Sequence, residues 1–123
     1  MGGRLPSGPI HVVDANRHDY DDVAEDSRLA GGSLKFFTTG REALRTNPEQ
    51  EPALWVVNQD LPDMHGTDLL EMLRVRGGVA PIILVGDVYD PAMEIDARVA
   101  GASLYFTKPL IAEWLLAPCL VEA

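Results

Sequence analysis

A chain of 123 residues with 46% hydrophobic content is most simply one domain, long enough to bury roughly two thirds of its unfolded surface in a single core. The formal net charge of -9 opposes attraction to nucleic acid or to an anionic membrane, both of which call for a basic face. One cysteine, Cys119, excludes an internal disulfide, and no stretch approaches the roughly 20 apolar residues of a membrane span or shows a signal-peptide pattern. A cytosolic protein is expected.

Residues 1–8, with Gly2, Gly3, Pro6 and Gly8, read as a flexible leader, and 9–123 as the domain itself. Pro9-Ile10-His11-Val12-Val13-Asp14 predicts a first strand that ends in a carboxylate. A helix from about Asn16 to Ala30 follows, with Tyr20, Val23 and Ala24 at helical spacing and acids on the other face, and Gly31-Gly32 stops it. Leu34 to Thr38 is a second short strand, and Gly40 begins a short helix that Pro48 ends.

Pro52 precedes the third strand, Leu54-Trp55-Val56-Val57-Asn58, a run too short for an ordinary helix and rich in β-branched residues. Asn58 is its first polar side chain, placed where ligands collect in open α/β sheets. A third helix from about Thr67 to Arg76 carries Leu69, Leu70, Met72 and Leu73 on a broad stripe, and Gly77-Gly78 breaks it. Pro81 to Val85 is continuously apolar, as parallel strands covered on both faces are. Pro91 opens a helix that runs to Ala100, with Gly101 as its stop. Ser103 to Phe106 is a fifth strand, leading through Thr107-Lys108-Pro109 to a last helix from about Ile111 that Pro118 ends or kinks. Strict alternation implies a parallel sheet with helices on both faces: a three-layer α/β/α, flavodoxin-like domain of five strands and five helices.

Leu61-Pro62-Asp63-Met64-His65-Gly66 after the third strand, together with Gly40-x-x-Ala43-Leu44, Gly101-Ala102-Ser103 and Lys108-Pro109, resembles the receiver domain of two-component response regulators. The resemblance covers the chain from about Ile10 to Leu116. It implies phosphoryl transfer from a histidine kinase to an aspartate, Mg²⁺ held by two acids after the first strand, a hydroxyl residue after strand four and a lysine after strand five. No catalytic residue and no enzyme activity of its own are assigned.

Residue by residue, the implied machinery is degraded. The acceptor position holds Asn58, a neutral amide whose lone pair is delocalised, which argues against phosphorylation there. The acid pair reads Asp14-Ala15, so a second metal ligand is a methyl group, and weak or absent Mg²⁺ binding is expected, with no other cofactor. Gly86 stands at the hydroxyl position, and Asp87 beside it adds negative charge. Lys108 and Tyr105, at the lysine and switch-aromatic positions, remain, and without a phosphoryl group Lys108 is expected to pair with Asp14 or hydrogen-bond Asn58. The rival is an active acceptor supplied by Asp60 or Asp63. The plainer reading is that these acids cap the third helix or face water. A further alternative is a sensor of anions or small molecules in the vacated crevice of Asp14, Asn58, Asp87 and Lys108.

His11, His18, His65 and Cys119 show no metal-ligand spacing, and no metal is assigned. The acidic run Asp19-Tyr20-Asp21-Asp22 reads as the wet face of a helix, with a docking surface for a basic partner as the alternative. In the fourth helix Met93, Ala97 and Ala100 form one stripe and Ala92, Ile95 and Val99 another, and only one can face the sheet. Trp114, Leu115 and Leu116 subtend about 200° of the last helix, so one of them should look outward. Ile95, Val99, Tyr105 and Trp114 are therefore candidates for an association face between helix 4, strand 5 and helix 5. The reading is a degenerate receiver that works as a phosphorylation-independent interaction or dimerisation module. Its partner is a second copy, another protein, a histidine kinase or an output domain in a longer chain, and neither nucleic acid nor membrane.

Overall fold

The computed structural model describes residues 8–26 and 34–115. Strands β1 (Ile10–Val13), β2 (Leu34–Phe37), β3 (Leu54–Asn58), β4 (Ile82–Gly86) and β5 (Leu104–Thr107) form one sheet in the order β2-β1-β3-β4-β5. All four pairings are parallel, with Ile10 beside Leu34 and Leu54, Trp55 beside Ile82, and Ile83 beside Leu104. β1, β3 and β4 are buried along their whole length, which is why their sequences are mostly apolar instead of alternating, with His11 and Asn58 as the polar exceptions.

Side chains that alternate across the sheet supply two cores. On one face Ile10, Val12, Leu54, Val56, Ile83 and Val85 pack with Tyr20, Val23 and Leu115. On the other, Val13, Trp55, Val57, Ile82 and Leu84 pack with Leu69, Leu70, Leu73 and Ala97. Each fully buried Leu, Ile or Val contributes about 1.5–3 kcal/mol of transfer free energy, so both helical layers are held chiefly by these contacts.

The helices are α1 (Asp21–Ala24), α2 (Gly40–Leu44), α3 (Gly66–Val75), α4 (Pro91–Ala100) and helical residues 112–115, here α5. The first departs from expectation. Arg17–Tyr20 forms a 3₁₀ turn before α1 begins, and Asn16 gives it no side-chain cap. A cause is visible at Tyr20, whose side chain is drawn fully inside and whose hydroxyl donates to Asp14. The expected stop at Gly31-Gly32, the leader residues 1–7, and Leu116, Pro118 and Cys119 lie outside the described residues. Elsewhere boundaries move by a residue or so: α3 starts at Gly66 and β5 at Leu104.

α4 presents the Met93, Ala97 and Ala100 stripe to the sheet, with Ala97 fully buried, and leaves Ile95 61% and Val99 83% exposed. It begins with Asp90 accepting from the Ala92 N–H and ends at Gly101, whose φ of 101° suits a residue without a Cβ. α3 starts against the end of β3. The Gly66 N–H donates to Gln59 O at 2.7 Å, and a Cβ at Gly66 would fall well inside van der Waals distance of Asn58 O.

Candidate functional site

The strand order reverses between β1 and β3, so the loops leaving these neighbours diverge and open a crevice at the carboxyl edge of the sheet. The crevice measures about 560 Å³ and is lined by Asp14, Ala15, Asp19, Asn58, Asp60, Asp87 and Lys108, among others. The structure thus brings together Asp14, Ala15, Asn58, Asp60 and Lys108.

Asp14 follows β1 and is 3% exposed. Its Oδ1 accepts from the Asn16 N–H at 2.8 Å. Its Oδ2 accepts from the Tyr20 hydroxyl at 2.9 Å and from Asn58 Nδ2 at 3.0 Å, and lies 2.9 Å from Lys108 Nζ. Asn58, equally buried at the end of β3, donates its second amide proton to Asp87 Oδ1 at 3.2 Å and accepts from the Asp60 N–H at 2.7 Å. An amide has two protons to give and an oxygen to accept, and here all are engaged.

Lys108 closes the network. Its Nζ lies 2.9 Å from Asp14, 2.7 Å from Asp19 and 2.8 Å from Asp87, a three-proton donor met by three carboxylates. Burial works to lower its pKa, but the hydrogen bonds to Asp19, Asp87 and Asp14 outweigh that and hold it above the usual lysine range. The hydrogen bond from Lys108 in turn lowers the Asp87 pKa against partial burial. Burial, and then the Asp14 charge, push the Tyr20 phenol far up, so it remains a donor.

A divalent cation, which the receiver resemblance implies, does not fit these groups. The lysine ammonium already lies among the three carboxylates, both Asp14 oxygens are taken, and Ala15 has no ligand atom. Among the described residues no cluster of His, Cys, Asp and Glu is arranged to hold a metal.

Other sequence candidates go elsewhere. Asp63 is not in the crevice and does not cap α3. Its Oδ1 and Oδ2 accept from the Gly40 and Arg41 amides, both at 2.9 Å, so it caps α2. Slight burial works to raise its pKa, but those amide hydrogen bonds prevail and hold it low. At the start of α3 it is Asp68 whose Oδ2 accepts from the His65 N–H at 3.2 Å, while the Asp68 N–H donates to the His65 carbonyl. Gly86 ends β4 with the Tyr105 side chain over it, where a Cβ would collide with the Tyr105 hydroxyl. Trp114 is half-buried: it stacks on Phe106 with centroids 4.7 Å apart and packs against the core. Leu115 is fully buried, and Leu116 lies outside the described residues.

Two members of the site were missed from sequence. Asp19 belongs to an acidic run read as a wet helix face, yet it makes the shortest contact to Lys108. Tyr20 was read for its helical spacing with Val23 and Ala24 and as part of that same run, not as a member of the site. A signal existed in their distance from Asp14, about one turn along the segment that follows β1 at the same sheet edge.

A doubly wound parallel sheet with an acidic crevice and a lysine from the end of β5 defines a receiver-type signalling domain. The family model for the response regulator receiver domain matches residues 10–118, and the chain belongs to that family, the receivers of two-component signalling. The transcriptional regulatory protein KdpE of Mycobacterium tuberculosis is 39% identical over 72 residues, 58% of this chain and 31% of that protein. The response regulator protein TodT of Pseudomonas putida is 27% identical over 107 residues, 87% of this chain and 47% of that protein. The chain therefore spans about a third to a half of the length of these curated relatives. Among solved structures, the BeF3-activated receiver domain of DrrB is 30% identical with a TM-score of 0.77, covering 94% of this chain and 97% of that one. CheY4 of Vibrio cholerae, at 21% identity and a TM-score of 0.74 over 89% of this chain and 93% of that one, shares the fold. Among the described residues no helix is long and apolar enough to cross a membrane.

Proposed function

We propose that this domain is a receiver that has lost phosphoryl chemistry and signals in the cytosol by phosphorylation-independent protein contact. The observation that carries this reading is the Asn58 amide, bonded through both protons and its oxygen to Asp14, Asp87 and Asp60. It supplies no nucleophile, and Lys108, the group suited to grip an incoming anion, is consumed by three carboxylates. The charge of the crevice also disfavours the alternative of an anion sensor, because Asp14, Asp19, Asp60 and Asp87 face a single ammonium.

The contact face is α4 with β5. Ile95 and Val99 are exposed there, and a second copy, another protein, a histidine kinase or an output domain of a longer chain is the partner class. With Trp114 packed on Phe106, Ile95 and Val99 take over as its apolar centre.

Intact-mass measurement after acetyl phosphate and Mg²⁺ tests the chemistry. An unchanged mass is expected. A gain of one phosphoryl group, with Asp60 as the nearby free acceptor, would overturn the reading. Light scattering on the doubly substituted Ile95→Glu, Val99→Glu protein tests the face: self-association or partner capture should fall at least roughly tenfold. Unchanged association would move the interface elsewhere.

A further inference from the structure

α3 carries apolar residues on two sides. Leu69, Leu70 and Leu73 are buried in the core between helix and sheet, while Met72 is 45% and Val75 86% exposed. Single apolar side chains are common on protein surfaces, but these two are neighbours on one helix face. Together with Asp68, Glu71 and Arg76 they line a shallow groove of about 340 Å³.

At about 100° per residue, the stripe runs from Glu71 on one edge, through Val75 and Met72, to Arg76 on the other, an arc of about 140°. Glu71 and Arg76 therefore do not face each other within the helix, and among the described residues neither has an ion partner. The Arg76 guanidinium donates to the carbonyls of Leu44 and Thr46 and to the Thr46 hydroxyl, neutral groups that hold it in place and leave its charge unanswered. On α4 the comparable charges, Glu94 and Arg98, stand one turn apart and answer each other in the same helix.

An acid on one edge, a base on the other and apolar residues between them make a self-complementary surface. When a second copy lays its α3 antiparallel on this one, about a two-fold axis midway between Met72 and Val75, the axis exchanges both the ends and the edges of the stripe. Met72 then meets the partner's Val75, and Glu71 meets the partner's Arg76, twice over. Antiparallel helices also set opposite dipole ends side by side.

We propose that α3 is a homodimerisation face, on which two copies of this chain pair through Met72 and Val75 with Glu71 and Arg76 joined across the two-fold axis. The face is separate from α4 with β5 and does not depend on how the Asn58 crevice is read. The net charge of -9 on each copy opposes pairing, so the dimer forms reversibly as concentration rises.

Sedimentation equilibrium from about 10 μM to about 1 mM tests the pairing, and a monomer–dimer equilibrium is expected. Val75→Glu, which alters an exposed side chain and leaves the core alone, should weaken the dimer at least roughly tenfold with an unchanged circular-dichroism spectrum. Glu71→Gln and Arg76→Gln should each weaken it a few-fold, and the doubly substituted protein should be no weaker than either, because each removes the same ion pair. A monomer at every concentration, a dimer indifferent to Val75→Glu, or additive losses from the two charge substitutions would overturn the proposal. A dimer that Val75→Glu leaves intact and Ile95→Glu with Val99→Glu dissolves would overturn it in favour of α4.

Discussion

The crevice around Asn58 and a smaller cavity beside Tyr105 share the same sheet edge and two of the same acids, Asp60 and Asp87, yet they handle buried polarity in opposite ways. The crevice is closed upon itself: one lysine, one amide and one phenol meet the carboxylates that surround them. Beside the cavity, the buried Gln59 amide oxygen has no hydrogen-bond partner. A satisfied network stabilises its surroundings and has nothing to offer a ligand, whereas orphaned groups cost stability and keep their capacity free. On the proposed reading, the receiver's chemistry is lost through internal satisfaction as much as through a missing carboxylate.

The contrast breaks most severely at Lys108. Replacing it by Met strands Asp14, which is buried, together with Asp19 and Asp87, and urea unfolding should show a loss of about 3–5 kcal/mol. Adding Asp14→Asn should recover part of it, and a loss confined to a few tenths would mean that the crevice is held by packing alone.

His11 shows the cost of an unsatisfied buried group through pH. Its Nδ1 has no partner, its ring lies edge-on to Phe37 and Trp55, and burial, helped by Lys35 and Arg76, lowers its pKa from 6.5 to about 4. The unfolded chain binds the proton first, so stability is lost as pH falls from 6.5 toward 4, by up to about 3 kcal/mol. Asp63 and Asp87 have pKa values held below 3.8 and lose their contributions only at lower pH, so the two windows separate. His11→Phe should flatten the upper one, and an unchanged slope would assign it to another group.

Asn58→Asp sharpens the comparison further. It removes both donated hydrogen bonds and sets a fourth carboxylate around Lys108, so at neutral pH a destabilisation of about 2 kcal/mol is expected. With Ala15 and Gly86 unchanged, phosphorylation by acetyl phosphate is not expected to return. Gln59→Leu carries the smallest effect and the opposite sign: removal of an orphaned amide should raise stability by about 1 kcal/mol. Destabilisation by that variant would show that the Gln59 side chain is already satisfied.

Much of this was open to inspection in the residues. Runs such as Trp55-Val56-Val57 and Ile82-Ile83-Leu84 are legible because burial on both faces leaves only apolar side chains, and Pro91 and Gly101 bracket α4 through backbone constraints that act locally. Asn58, Ala15 and Gly86 could be recognised because the chemistry they fail to do is a property of the functional group itself. Asp19 and Tyr20 were missed as members of the site for a common reason. Each lies in a segment of unremarkable periodicity, and its role depends on a group outside that segment: Lys108, after β5, for Asp19, and Asp14, at the end of β1, for Tyr20.

The sequence alone determined the layered fold, the order of its elements and the absence of an acceptor carboxylate at position 58, since local preferences and functional-group chemistry are written residue by residue. Only the tertiary structure decided that Lys108 is shared among three aspartates, that Asp63 caps α2, and that the buried Gln59 amide oxygen is left without a partner. Those facts rest on distances between loops at one sheet edge. Such distances follow from how the strands are ordered and packed, and no single segment encodes them.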